Sequence, residues 1–199
     1  MASSAQLLLL EHLNLTVADK SLAVAFYVDG LGCSLNSVVG GEAITHVNFG
    51  LSQFHLPRST TPTTAQTWDG TIFLQTIEPL SVLQQRIVEH PVLQAHGGVS
   101  ATQAASGDGD SGEASLLVTG PYGNEFHITS VPTLRHHFEV LGHHHGFSSK
   151  VAAMPKVVHR CHPGTARACV AWCVCACVCV RVRACGVVWC GVLCCGAVG

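Results

Sequence analysis

Apolar and polar residues alternate from Leu8 to Val17. Leu9, Leu13, Leu15 and Val17 fall on one side and His12, Asn14 and Thr16 on the other, as in a half-buried strand with a polar second face. The period then changes. Asp19 is placed to cap a helix over Lys20–Val28, whose apolar stripe is Leu22, Ala25 and Phe26, and Asp29-Gly30 and Gly32 stop it. Three strands follow, at 33–39, 44–49 and 51–56, punctuated by Gly40-Gly41, Gly50 and Pro57. After a Thr/Pro/Ser-rich stretch at 58–69 the order repeats. A strand spans 70–77 and a helix begins at Pro79, with Leu80, Leu83, Ile87, Val88 and Leu93 along it. Strands follow at 99–104, 113–119 and 125–131, the last two joined by a tight turn at Gly120–Gly123. Two β-α-β-β-β units of about 60 residues are expected, each too small to close a core alone.

Composition divides the chain at a different place. Of its 199 residues 48% are hydrophobic and 11% charged, but residues 1–150 hold all twelve carboxylates against five basic residues, a net of −7. Residues 151–199 hold five basic residues and no carboxylate, and ten of the eleven cysteines lie from Cys161 onward. An acidic folded part excludes a uniformly basic nucleic-acid binder. The first ten residues lack a basic leader and an Arg-rich transit pattern, so a reducing, cytoplasmic setting is expected and a disulfide framework is not. Residues 161–199 read as a Cys/Val-rich low-complexity tail without an ordered fold. Arg181 and Arg183 interrupt its apolar run, so no membrane span is expected. Its cysteines alternate as C-x-C without the paired spacing of a structural zinc site, although the Val/Cys alternation suits an edge strand. The six residue types that dominate it share codons rich in G, T and C, which points to translated repetitive DNA.

The strings EHLNLTVADKSLAVAFYVDGLGC, THVNFGLSQFHLP and GPYGNEFHI resemble the vicinal oxygen chelate superfamily, which includes glyoxalase I, bleomycin resistance proteins and extradiol dioxygenases. The resemblance covers about residues 7–131, and Gly120 stands where the family's closing motif usually has Asp. It implies an α+β fold in which two βαβββ modules form a curved mixed sheet, a half-barrel cleft with helices on its outer face. Module one would span 7–57, a linker 58–69 and module two 70–131. A second linker at 132–160 would lead to the tail at 161–199. In this family metal ligands come from the first and last strands of each module. Position by position, that implies His12, His55 and His127, with Thr71 at the fourth place.

The alternation agrees in phase, since each of these histidines lies opposite apolar neighbours. Three imidazoles and an open water position suit a divalent ion such as Zn, Ni, Fe or Mn, which would polarise a substrate oxygen. Glu11 and Glu125 are read as one residue off the ligand face, leaving no general base at a carried-over position. Three functions stay open: a metal-dependent lyase, isomerase or dioxygenase; a metal-free module that binds or sequesters a small molecule; and a truncated product. A homodimer through module pairing is a further expectation. Phe49, Phe73 and Trp68 are candidate pocket aromatics, and Trp68 could equally anchor the linker. Cys33 is read as core, and His46 and His90 as surface or strand-edge residues. His136, His137 and the run His143–His145 are read as the exit from module two, and Gly107–Asp110 as a plain hairpin loop rather than a calcium site. Transcript sequencing across codons 145–165 tests the origin of the tail. An interrupted or scarce message is expected, and a continuous abundant one would sink that origin.

Overall fold

The computed structural model describes residues 12–40, 42–50, 52–59, 65–104, 114–134, 149–159, 177–180 and 188–192. The first sheet holds β1 (His12–Asn14), β2 (Ser34–Gly40), β3 (Ile44–Phe49) and β4 (Ser52–Pro57), in the order β1-β4-β3-β2. The second holds β5 (Gly70–Thr76), β6 (Ser100–Ala104), β7 (Ser115–Thr119) and β8 (Glu125–Ser130), in the matching order β5-β8-β7-β6. In both, the first strand runs parallel to the last and the other pairs are antiparallel. The repeat is therefore one of topology and register. His55 pairs with Asn14 as His127 pairs with Phe73, and Gln53 with His12 as Glu125 with Thr71. The fold is α+β with two mixed sheets that remain open.

The helices lie against the buried faces of the sheets. Helix α1 (Lys20–Val24) starts as expected, its first amides at Ser21 and Leu22 donating to the Asp19 carboxylate at 2.7 and 3.1 Å. It then widens into a π-helical turn, Ala25–Gly30, in which the Leu31 amide reaches back to the Phe26 carbonyl at 2.8 Å. Phe26 and Tyr27 are consecutive and both fully buried. Phe26 packs on Phe126 with centroids 5.5 Å apart, and Tyr27 packs on Phe54 at 5.0 Å and on Phe126 at 6.1 Å. One helical turn of module one thus joins the cores of both modules.

The second helical stretch is two helices, α2 (Leu80–Val88) and α3 (Pro91–His96), where the sequence pattern suggested one. Pro91 forces the break. The residue before a proline is driven out of the helical region, and His90 is extended at φ −69°, ψ 119°. Arg86 on α2 forms a two-pronged ion pair with Glu78 and donates from Nε to the Gly30 carbonyl at 2.8 Å, holding the helix to the π-helical turn.

Within the 132–160 stretch expected to be a linker, Val151–His159 forms strand β9, antiparallel on the free edge of β5. Val151, Ala152, Met154 and Val157 are buried there. The register slips between Phe73 and Gln75, beside Pro155, which has no amide to donate to a ladder. In the tail, β10 (Cys177–Val180) and β11 (Val188–Val192) extend this edge, with β11 antiparallel to β9. No helix among the described residues is long and apolar enough to cross a membrane.

The turn before β8 is stitched to the segment before β5. Asn124, 2% exposed, accepts from the Trp68 amide at 2.6 Å and donates to the Gln66 carbonyl at 3.2 Å. The Thr67 hydroxyl donates to the Tyr122 carbonyl at 2.7 Å, and the Tyr122 hydroxyl donates to the Asp19 carbonyl at 2.6 Å. Gly120 opens this turn against the aromatic cluster. A Cβ there would lie 3.0 Å from Phe26 Cε1 and 3.2 Å from Phe126 Cε2. That is a physical reason for glycine where the resembled family has Asp. Gly120→Ala is expected to destabilise the protein by about 1–3 kcal/mol through overpacking, read as a lower urea midpoint. An unchanged midpoint would show that the rings have room.

Candidate functional site

The site is built from the sheet faces turned away from the core. In β4, Ser52, Phe54 and Leu56 are buried while Gln53 and His55 are half-buried; in β8, Phe126 and Ile128 are buried while Glu125 and His127 are half-buried. Directly paired residues on neighbouring strands face the same side, so each pairing register defines a row.

On the first sheet one row reads Ser34, Asn48, Gln53 and His12, and the next reads His46, His55 and Asn14. The three imidazoles form a stack. The His12 and His55 rings are 4.2 Å apart and 13° from parallel, and those of His46 and His55 are 4.3 Å apart and 14° from parallel. His55 Nε2 is hydrogen-bonded to Gln53 Oε1 at 2.9 Å. His46 is therefore a member of this face, in a strand flanked on both sides, and not an edge residue. The directly opposed positions 46 and 55 were the signal for it, but only the register makes them opposite.

On the second sheet the corresponding row includes Phe73, His127, Leu117 and Thr102, and Phe73 is paired on its other side with Lys156 of β9. Phe73 and His127 meet edge to face with centroids 5.0 Å apart, and Leu117 is 48% exposed. Glu125 lies two residues from His127, on its side of the strand and not off it, because side chains on a strand alternate with a period of two. Of the other candidate aromatics, Phe73 is on the open face. Phe49 is fully buried against Phe54 at 4.6 Å and is core. Trp68 donates from its indole to the Val158 carbonyl at 2.9 Å, which anchors its segment to β9.

The three histidines implied as ligands are not gathered around one point. His12 and His55 are face to face, and His127 has Phe73 against its ring. A zinc-like ion needs ring nitrogens about 2.0–2.1 Å away, each aiming its in-plane lone pair at the ion. Stacked parallel rings hold those lone pairs in separate parallel planes. Among the described residues, no group of three or more His, Cys, Asp and Glu side chains could hold a metal ion. The donor set in this arrangement does not fit the ion that the resemblance implies.

Elsewhere, Cys33 is a buried free thiol whose pKa is pushed up by burial, partly opposed by the Arg86 charge, so it is poorly suited to act as a nucleophile. His90 is half-buried. Its side chain is 18% exposed, its Nε2 lies 3.8 Å from Asp29 Oδ2, and its buried Nδ1 has no hydrogen-bond partner among the described residues. A groove of about 530 Å³ beside the start of α1 is lined by Ala18, Asp19, Lys20, Ser21, Glu42 and Arg58, charges of both signs, and by none of the histidines. Glu11, Gly107–Asp110 and the histidines at 136–137 and 143–145 lie outside the described residues.

No protein-family profile and no curated protein matches the sequence. Solved structures do match. An integron cassette protein from V. cholerae is 20% identical, over 64% of this chain and 98% of that one, with a TM-score of 0.43. A bleomycin-binding protein from Streptomyces verticillus is 19% identical, over 64% and 99%, with a TM-score of 0.42. A glyoxalase/bleomycin resistance protein from Albidiferax ferrireducens is 15% identical, over 61% and 98%, with a TM-score of 0.45.

The imidazole stack has a direct readout. His46→Ala should move the His55 ring-proton resonances downfield by removing one flanking ring current and leave those of His127 in place. Unmoved His55 signals would show that the stack does not form in solution.

Proposed function

We propose that this chain is a small-molecule binding module that takes an apolar, planar ligand on the open face of the second sheet without a metal ion. The Phe73–His127–Leu117 row carries the reading. An aromatic ring, an imidazole edge and a half-exposed leucine lie side by side across three paired strands. Binding sites of this kind combine apolar area with few polar groups that orient the ligand. Here the imidazole offers a donor or an acceptor, and Glu125 on the same face adds a carboxylate. Rigid strands hold these groups, so little ordering cost falls on binding.

The metal-free form of the reading is supported by the donor geometry, because stacked His12 and His55 do not aim their lone pairs at a common centre. An enzyme of the lyase, isomerase or dioxygenase kind would need a group that moves a proton or activates oxygen, and Glu125 and His127 on this face have acid–base capacity.

A planar fluorescent probe such as 1-anilinonaphthalene-8-sulfonate tests the reading with the full chain. Binding should be saturable, weaken about tenfold in Phe73→Ala as one buried aromatic contact is lost, and survive treatment with EDTA. Loss of binding on chelation with recovery on adding Zn²⁺ would overturn the metal-free reading. Unaltered binding in Phe73→Ala would overturn the placement of the site.

A further inference from the structure

We propose a second binding site, in the groove beside the start of α1, for a small zwitterion such as a dipeptide with both termini free. The groove is lined by none of the histidines and by none of the Phe73 row, so it is separate from the site proposed above. Its volume of about 530 Å³ falls within the range of about 300–1,000 Å³ common for small-molecule sites. The backbone around it is held on two sides. Past β1 and β4 the parallel pairing continues: the Val17 amide donates to the Pro57 carbonyl at 2.9 Å and the Ser59 amide to the Val17 carbonyl at 2.8 Å. The Arg58 amide donates to the Ala43 carbonyl at 2.8 Å, which fixes Arg58 beside the turn that carries Glu42. Asp19 is fixed through its own amide, which donates to the Tyr122 hydroxyl at 3.1 Å.

The lining sets the ligand class. Asp19 and Glu42 supply two carboxylates, and Lys20 and Arg58 supply two cations, so the groove is neutral as a whole and strongly polar in detail. A ligand of one sign would meet attraction from half of these groups and repulsion from the other half. A molecule bearing both an ammonium and a carboxylate can turn each end toward its complement. The first amides of α1, at Ser21 and Leu22, are already bonded to Asp19 Oδ1, so recognition falls to the side chains. Asp19 Oδ2 has no hydrogen bond to another described residue, and neither do the Glu42 and Arg58 side chains. Arg58 is therefore assigned the ligand carboxylate, which its planar guanidinium can engage with two parallel N–H donors, and Asp19 with Glu42 the ammonium.

Titration of the isotope-labelled full chain with alanylalanine, its N-acetylated form and its C-terminal amide tests the proposal. The titrations are run at neutral pH and low ionic strength and read through the backbone amide shifts of Asp19, Ser21, Glu42 and Arg58. The zwitterion should give saturable shifts and bind at least about threefold more tightly than either blocked form, the size of effect that one solvent-screened charge contact supports. Arg58→Gln should abolish the preference over the amide, and Glu42→Gln should reduce the preference over the acetylated form. Both side chains are exposed and lie off the core, so both variants keep the fold. Absence of saturable shifts, a blocked form that binds as tightly as the zwitterion, or a preference that either substitution leaves intact would overturn the proposal.

Discussion

The two modules each leave an apolar sheet face that neither covers alone, and one aromatic cluster covers both. Phe26 and Tyr27 project from the widened end of α1 into Phe54 of the first sheet and Phe126 of the second. Consecutive residues of a regular helix diverge around its axis, so burying both asks for a local change, and the π-helical turn supplies it. Each fully buried aromatic ring contributes about 1.5–3 kcal/mol through apolar area alone. The glycine at 120 follows from the same contact, since a side chain there would meet two of the rings. The polar faces depend on it in turn, because seating Phe54 and Phe126 inward places His55 and His127 on the other side of their strands.

A second layer of constraint lies around module two. The free edge of β5 is covered by β9, and the turn before β8 is bonded through Asn124 to the backbone leading into β5. These contacts tie residues far apart in the chain, and Tyr122 with Asp19 ties the two modules at the helix start. The open faces then differ in character although their registers are equivalent. The first presents amides and stacked imidazoles, and the second presents Phe73 and Leu117 beside His127. One topology used twice offers two chemistries.

Much of the architecture was legible in the residues. Alternation placed β1, β3, β4, β5 and β8 within a few residues, because a strand buried on one side writes its burial into every second position. Asp19 marked the helix start, since its carboxylate satisfies amides that the helix cannot. The turn at Gly120–Gly123 was marked by its glycines. The break at Pro91 was also present in the residues, in proline's missing amide, but the apolar spacing from Leu80 to Leu93 runs across it. Strand β9 was hidden. Its nine residues are short, carry a proline and alternate only in part, and their burial exists only because β5 offers them an edge.

For the site, the residues by themselves determined which side chains leave the core: His12, His55 and His127 each stand opposite apolar neighbours, and a period of two allows no other result. Tertiary structure decided what those side chains meet. Lateral register set His46 against His55 and His12 beside it, and this placed two of the expected ligands, His12 and His55, in a stack of parallel rings with His46. Register also put Phe73 against His127 and, among the described residues, left the buried Asn48 oxygen without a hydrogen-bond partner. Periodicity along a strand is a local property of the chain. Alignment between strands is settled by the core that all of them share, and there the aromatic cluster is the arbiter.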